Sequence, residues 1–394
     1  MTLAGRAVTV VGAGIAGLAA ARALALRGAQ VTVLEQAGAL AEVGAGLQVS
    51  PNGAAVLRAL GLGEALAAAG LRAAAVSLRD GRDDRVVATL DLARQRPGQE
   101  YRFVHRADLV DLLAQGARDA GVQFRMMQRI VAAETGPGGV RLVTAQGAGM
   151  REGLVIGADG LHSVLRGALN GPAAPAFTGQ VAWRATIPET PAAGAVAEVH
   201  MGPGRHLVSY PLRGGTLRNI VAVEARARWV EESWSLKDDP IALRLAFAGF
   251  SPRVRGWLDR VGDAWLWGLF RHPVAARWWW AEGDAGAAIL GDAAHPTLPF
   301  LAQGANMALE DAWVLAARLA GTGPLARRLA AYQQARAARA ARIVAAASRN
   351  AWAYHLRGPV RDVAHLGLRA IGALAPGALV GRFDWLYGHD VTAA

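Results

Sequence analysis

The sequence predicts an α/β protein in which a parallel-sheet domain is interrupted by an antiparallel sheet and followed by C-terminal helices. Three observations carry that prediction. A β-branched run, Ala7-Val8-Thr9-Val10-Val11, opens directly into Gly12-Ala13-Gly14-Ile15-Ala16-Gly17. Far along the chain a second apolar run, 287–290, opens into Gly291-Asp292-Ala293-Ala294-His295-Pro296. Between them, 177–273 changes texture to alternating runs such as His206-Leu207-Val208-Ser209-Tyr210 and Asn219-Ile220-Val221-Ala222-Val223-Glu224. Alternation of that kind is the pattern of strands half buried against a core.

The first run is apolar on both faces and reads as a parallel strand covered on both sides. An Ala/Leu-rich helix is expected over 18–27, stopped by Gly28. A strand follows over 31–34, and Glu35 stands at its end, 18 positions after Gly17 (35 − 17). This strand, turn, helix, strand and acid form a Rossmann dinucleotide fingerprint. Gly12 permits the tight turn, Gly14 lets a diphosphate approach the backbone, and Gly17 lets helix and strand pack closely. With Ala16 they place a diphosphate at the positive end of the helix. Glu35 is positioned to accept hydrogen bonds from ribose hydroxyls.

The remaining elements follow in order. Strand character recurs over 75–92, and a helix over 106–120 has Leu109, Leu112 and Leu113 on its apolar face. Strands are expected over 122–125 and 139–143, and the run 153–157 leads to Ala158-Asp159-Gly160. After the third glycine segment comes a helix over 306–319, then Ala/Arg-rich helices to about 347. The nucleotide-binding domain is therefore discontinuous, built from 1–74, 101–175 and 274–348. A sheet domain from 75–100 and 176–273 interrupts it, and 349–394 forms a C-terminal helical segment.

Composition excludes several classes. The net charge is +11 and the pI about 11.1, but the charge is nearly all arginine spread along helices. It reads as a solvated helix face and a preference for anionic small molecules, not as a nucleic-acid surface. No apolar run is long enough to span a membrane. Cysteine is absent, so neither disulfides nor thiol chemistry are available, and no metal site is expected. The fingerprint strand begins within ten residues of Met1, so no cleaved signal is expected. A cytoplasmic protein, monomeric or homodimeric, is expected.

Further motifs join the glycine segments in order: 44–52 (Gly-Ala-Gly-Leu-Gln-Val-Ser-Pro-Asn), His105-Arg106-Ala107-Asp108-Leu109, 157–166, 299–306 and Asp384-Trp385-Leu386-Tyr387-Gly388. With these the chain resembles, over its whole length, the class A FAD-dependent aromatic hydroxylases. The resemblance is strongest to the branch of salicylate hydroxylase, 3-hydroxybenzoate 6-hydroxylase and 6-hydroxynicotinate 3-monooxygenase. It implies FAD as cofactor, NADH or NADPH and dioxygen as co-substrates, and attack of a flavin C4a-hydroperoxide on an activated phenolic or hydroxyaryl ring. It also implies that Asp292 meets the flavin ribityl chain and that Gly304, Ala305 and Asn306 present a helix start to the flavin pyrimidine edge. By the same resemblance Gly46 and Arg106 contact the cofactor, Ile130 lines the adenine pocket, and Asp159 serves both nucleotides.

The substrate site is the less constrained part. His206 and Tyr210 lie four apart on an expected strand and so face the same side. The family's His-x-x-x-Tyr-Pro pattern at the substrate ring matches 206–211. The Pro299 carbonyl would lie beside the substrate hydroxyl, with Gln303 and Gln48 in the pocket wall. Arg184, Arg205 and Arg213 are the candidates for a substrate carboxylate. The run Trp278-Trp279-Trp280 is read as packing. A reductase or halogenase on the same scaffold, or a non-catalytic flavin-binding protein, are the alternative readings. The halogenase would need a Trp-x-Trp-x-Ile-Pro segment, and 265–267 lacks the Ile-Pro.

Overall fold

The computed structural model describes residues 3–40, 45–191, 194–227 and 236–393. Its first sheet has six strands in the order Trp279–Glu282, Ala285–Ile289, Leu154–Gly157, Ala7–Val11, Gln30–Leu34 and Gln123–Arg125. All neighbours run parallel except the hairpin of Trp279–Glu282 with Ala285–Ile289. The unbroken apolar runs have the cause read from the sequence: Val8, Val10, Leu154, Val155 and Ile156 are all buried. Helix Ile15–Ala25 packs against helices Gly304–Ala320 and Arg106–Asp119. Its alanines explain the close approach, for Ala19, Ala20, Ala21 and Ala23 have no exposed surface.

The second sheet has eight strands in the order Lys237–Asp238, Ala264–Arg271, Ala176–Pro188, Leu217–Ala225, Arg205–Leu212, Val196–Gly202, Ala75–Asp80 and Val86–Asp91. The sequence predicts an antiparallel sheet, and one join departs from that: Val196–Gly202 runs parallel to Ala75–Asp80. These two strands come from separate stretches of chain, so no hairpin dictates their direction. One face of this sheet, carrying Trp183, Leu207 and Ala222, is buried against Leu243, Phe247 and Trp257 near helices Pro240–Ala246 and Pro252–Asp259. The opposite face carries His206 and Tyr210, paired in register with Val223 and Asn219.

Helix Leu325–Tyr354 corrects one expectation. Its arginines are not all solvated: Arg328 and Arg336 are buried. Arg336 pairs with Glu310 and Asp311, and Arg339 with Glu310. The inward turn of an amphipathic helix selects these positions, whereas a count of arginines cannot. Of the tryptophan run, Trp278 is fully buried against His295 and Tyr332, a packing role.

Candidate functional site

The three glycine segments leave the carboxyl ends of three adjacent parallel strands, Ala7–Val11, Leu154–Gly157 and Ala285–Ile289. That edge is where open α/β sheets receive ligands. Gly12 has φ +99, and a Cβ there would lie 2.4 Å from the Ala158 carbonyl oxygen, so the first two segments touch through bare backbone. Gly17 packs against the Gly12 carbonyl. Around Gly14, by contrast, a Cβ would meet nothing within 4 Å. Open space therefore lies at the first turn of helix Ile15–Ala25, where unpaired N–H groups favour an anion.

The acids differ in what they do. Glu35 accepts from the Ala13 N–H (2.7 Å) and the Ala37 N–H (2.9 Å), and so fixes the glycine turn. Asp159 accepts from Ser163 Oγ (2.5 Å) and from the N–H groups of Val164 (2.8 Å) and Leu165 (3.2 Å). Its carboxylate caps helix Val164–Asn170 and is committed to the chain itself. Asp292 instead faces open cavity. Enclosure by protein raises its pKa, opposed by His295, Arg106 and His272.

One cavity of about 360 Å³ joins this edge to the inner face of the eight-stranded sheet. Gly14, Ala16, Arg106, Asp292, Gly304 and Ala305 line one part of it. Gly304 and Ala305 begin helix Gly304–Ala320, whose first N–H groups are available to a negative ring edge. An open diphosphate cradle, a carboxylate facing the cavity, an arginine and a second helix start form a donor set that fits a flavin dinucleotide.

His206, Tyr210, Arg184 and Pro299 line the other part, with Gly46, Gln48 and Gln303. His206 Nδ1 lies 2.8 Å from His355 Nε2, and His355 Nδ1 lies 3.3 Å from the Gln180 amide. Burial lowers the pKa of His206 well below its ordinary value, and His355 adds to this. His355 is lowered to about 4, by burial first and then by Arg357 and Arg205. Both rings are therefore neutral near pH 7. The Gln180 amide can present N–H or C=O to His355, and that choice sets which nitrogen of His206 carries its proton. Burial raises the Tyr210 pKa, with Arg184 and Gln48 acting the other way.

Three residues assigned to the pocket or cofactor belong to a buried clasp. Gln303 donates to Ser50 Oγ (2.9 Å) and accepts from Asn52 (3.1 Å). Asn306 accepts from the Ser50 N–H (3.0 Å) and donates to the Gln48 carbonyl (2.9 Å). The Gly46 N–H donates to Asn219 Oδ1 (2.7 Å). Gln303 and Asn306 fix the start of helix Gly304–Ala320 against strand Gly46–Val49 and the turn after it, while Gly46 ties that strand to strand Leu217–Ala225. Gly12, Gly17, Glu35, Ile130, Asp159 and Asn306 are not in the cavity wall; Ile130 lies in the core with Val140 and Leu142. Gly44, first residue of the 44–52 motif, lies outside the described residues.

Of the three arginine candidates, only Arg184 reaches the cavity wall, stacked 4.3 Å over the Trp267 ring. Arg205 pairs with Glu224, and Arg213 with Asp108. Sequence reasoning missed His355, Tyr101 and Tyr354, and gave Tyr387 no role. Four of the chain's five tyrosines line this cavity: Tyr101, Tyr210, Tyr354 and Tyr387. The signal was available, since Tyr354-His355 breaks an otherwise Ala/Arg-rich helix.

The chain matches the family described as "FAD binding domain" over residues 6–242 and 272–347. It is 34% identical to 3-amino-4-hydroxybenzoate 2-monooxygenase PtnB3 of Streptomyces platensis, covering 97% of this chain and 96% of that one. It is 34% identical to 3-hydroxybenzoate 6-hydroxylase of Polaromonas naphthalenivorans (strain CJ2), covering 98% and 96%. Among solved structures, Klebsiella pneumoniae HpxO complexed with FAD and uric acid superposes with a TM-score of 0.80 at 27% identity, covering 93% of each chain.

Proposed function

This chain belongs to the FAD-dependent aromatic hydroxylases that carry the FAD binding domain, and on that footing we propose that its substrate is a monocyclic phenol bearing a carboxylate. When bound, FAD supplies acceptance of hydride from NAD(P)H and activation of dioxygen. The protein supplies position, charge control and exclusion of water.

One observation carries the substrate reading. His206 and Tyr210 share a cavity wall with Arg184, and that cavity continues to the helix start at Gly304 and Ala305. Arg184 offers a planar, always charged fork, the form suited to a carboxylate. The phenol lies between His206 and Tyr210. A nitrogen of neutral His206 would accept the phenol O–H as a hydrogen bond, with His355 holding the other ring nitrogen, and this would draw electron density from the O–H bond into the phenol ring. The Pro299 carbonyl, which already accepts from the Ala302 N–H (3.1 Å), retains a second lone pair for the hydroxyl. Gln303 acts through the clasp.

On the cofactor side, the turn Gly12, Gly14, Ala16 and Gly17 receives the diphosphate, and Glu35 shapes that turn. Asp292 and Arg106 hold the ribityl and phosphate region, and Gly304 and Ala305 stabilise negative charge on the ring. Asn306 holds their helix in place, and Asp159 sets the neighbouring loop by capping. Ile130 supports the adenine side from the core. The absence of cysteine and the use of NAD(P)H fit a cytoplasmic setting, with the small aromatic substrate as the partner. Among the described residues, no helix is long and apolar enough to cross a membrane.

The experiment is anaerobic flavin reduction by NADH and by NADPH, followed by oxygen uptake, across hydroxybenzoates and hydroxypyridines. A carboxylated phenol should accelerate reduction and gain one oxygen atom. Flavin reduction with no accelerating compound and no hydroxylated product would exclude the reading.

A further inference from the structure

We infer that the substrate ring carries an apolar alkyl arm, seated beneath the outer strands of the eight-stranded sheet. This rests on the reading of His206, Tyr210 and Arg184 as the ring site. The cavity does not end at strand Arg205–Leu212. It continues under Val196–Gly202, Ala75–Asp80 and Val86–Asp91. Three strand spacings make roughly 14 Å, a length that a single ring at His206 leaves unfilled.

The strand side of this lobe is aliphatic, with Val76, Leu78, Leu90, Val199 and Val208, and the rings of Tyr101, Tyr354 and Tyr387 pack beside it. Val76, Leu78, Leu90 and Val208 are only half-buried although they line the interior, so part of their surface is turned to the cavity. On the lobe's face of strand Ala75–Asp80 the one charged side chain, Asp80, stands at the strand's end and is paired with Arg361 and His365. On strand Ala75–Asp80, Arg79 alternates with Leu78 and pairs instead with Glu198. The diphosphate cradle and Asp292 occupy the opposite, polar end of the cavity, so the lobe is not needed to hold the cofactor. Apolar walls around water are unfavourable, and an apolar arm relieves them by about 0.8 kcal/mol per buried methylene, about fourfold in Kd.

The test uses the FAD-loaded enzyme and hydroxybenzoates bearing methyl, propyl or pentyl groups at each free ring position. Kd is read from the change in flavin absorbance. At one ring position Kd should fall by about fourfold per methylene. In Val76→Phe and Leu90→Phe, which fill the lobe, the ratio of parent to alkylated Kd should shrink toward one. If the parent binds and is hydroxylated while no alkylated compound binds tighter, the arm is excluded and the hydroxylase reading stands. If alkylbenzenes lacking hydroxyl and carboxylate bind as tightly and no phenol is hydroxylated, the lobe stands and the ring reading falls. Binding by none of the compounds overturns both. A stoichiometric lipid found by mass spectrometry of the denatured enzyme would assign the lobe to a resident acyl chain and overturn the substrate arm.

Discussion

His206 and Tyr210 are buried in the cavity wall, and the proposed reaction asks that wall to orient and activate a phenol. Flavin reduction needs neither side chain, whereas attack on the ring needs an activated substrate. His206→Ala and Tyr210→Phe should therefore keep their FAD and still oxidise NAD(P)H. Product formed per NAD(P)H should fall, with hydrogen peroxide making up the difference; acid–base catalysis is worth roughly 10²–10⁴ in rate. His355→Phe removes the 2.8 Å partner of His206 and should lower coupling in the same direction by less. Coupling unchanged in all three would remove the pair from the mechanism. Arg184→Gln tests the carboxylate partner. A hydrogen bond to a charged group contributes about 1.5–3 kcal/mol, so Kd for a hydroxybenzoate should rise by roughly 10–100-fold. Affinity for an uncharged phenol should move far less. Equal losses for both ligands would point to damage in the Trp267 stack instead.

At the scale of elements, two substitutions separate the clasp from the cofactor site. Asn306→Ala leaves the buried Ser50 N–H and Gln48 carbonyl without their partner, a cost of about 1–3 kcal/mol for each unmet group. Thermal melting of the apoprotein should drop by several degrees, and FAD should dissociate faster because the helix start shifts. Asp292→Ala removes a carboxyl turned to the open cavity rather than packed into the core. The melting temperature of the apoprotein should hold or rise while FAD affinity falls. A drop in both quantities for Asp292→Ala would make that residue structural. Strand Ala7–Val11, the glycine turn and helix Gly304–Ala320 were legible in the sequence because a short local pattern fixes each. The parallel join of Val196–Gly202 to Ala75–Asp80 was not, since direction there is set by packing between distant segments. Asp159 shows the same limit within the site. An acid before a glycine is visible, but whether its oxygens face a ligand or cap helix Val164–Asn170 depends on the path of the next five residues. Nothing local in sequence connects His355 with His206, which are 149 positions apart.

For the whole molecule, some of the positive charge sits in buried ion pairs, Arg336 with Asp311 and Arg361 with Asp80, among the described residues. Net charge is thus a poor guide to partners here, and a better guide to pH behaviour comes from the buried histidines. Burial lowers His200 from 6.5 to about 4 despite nearby Asp84, and lowers His355 from 6.5 to about 4. His206 is lowered in the same sense. In the unfolded chain these rings take up protons near 6.5, while in the fold His200 and His355 stay neutral until about 4 and His206 resists protonation in the same direction. Between those limits the unfolded state holds more protons, so stability must fall as pH falls. The carboxylates act elsewhere. Asp311, lowered from 3.8 to about 2 chiefly by His295 and Arg336 against the opposing effect of burial, stabilises the fold above 3.8 and loses that contribution only below it. Asp292 and Asp159, raised from 3.8 by burial, work in the opposite sense, gaining protons in the fold first. Melting temperature should accordingly be level from about pH 8 to 7 and decline by several degrees between about pH 6.5 and 5. His355→Gln, which keeps a hydrogen-bonding side chain without a titrating ring, should flatten part of that decline. A melting temperature that holds or rises through this interval would show that the histidines are not buried neutral, and would weaken the role given to the His206–His355 pair with them.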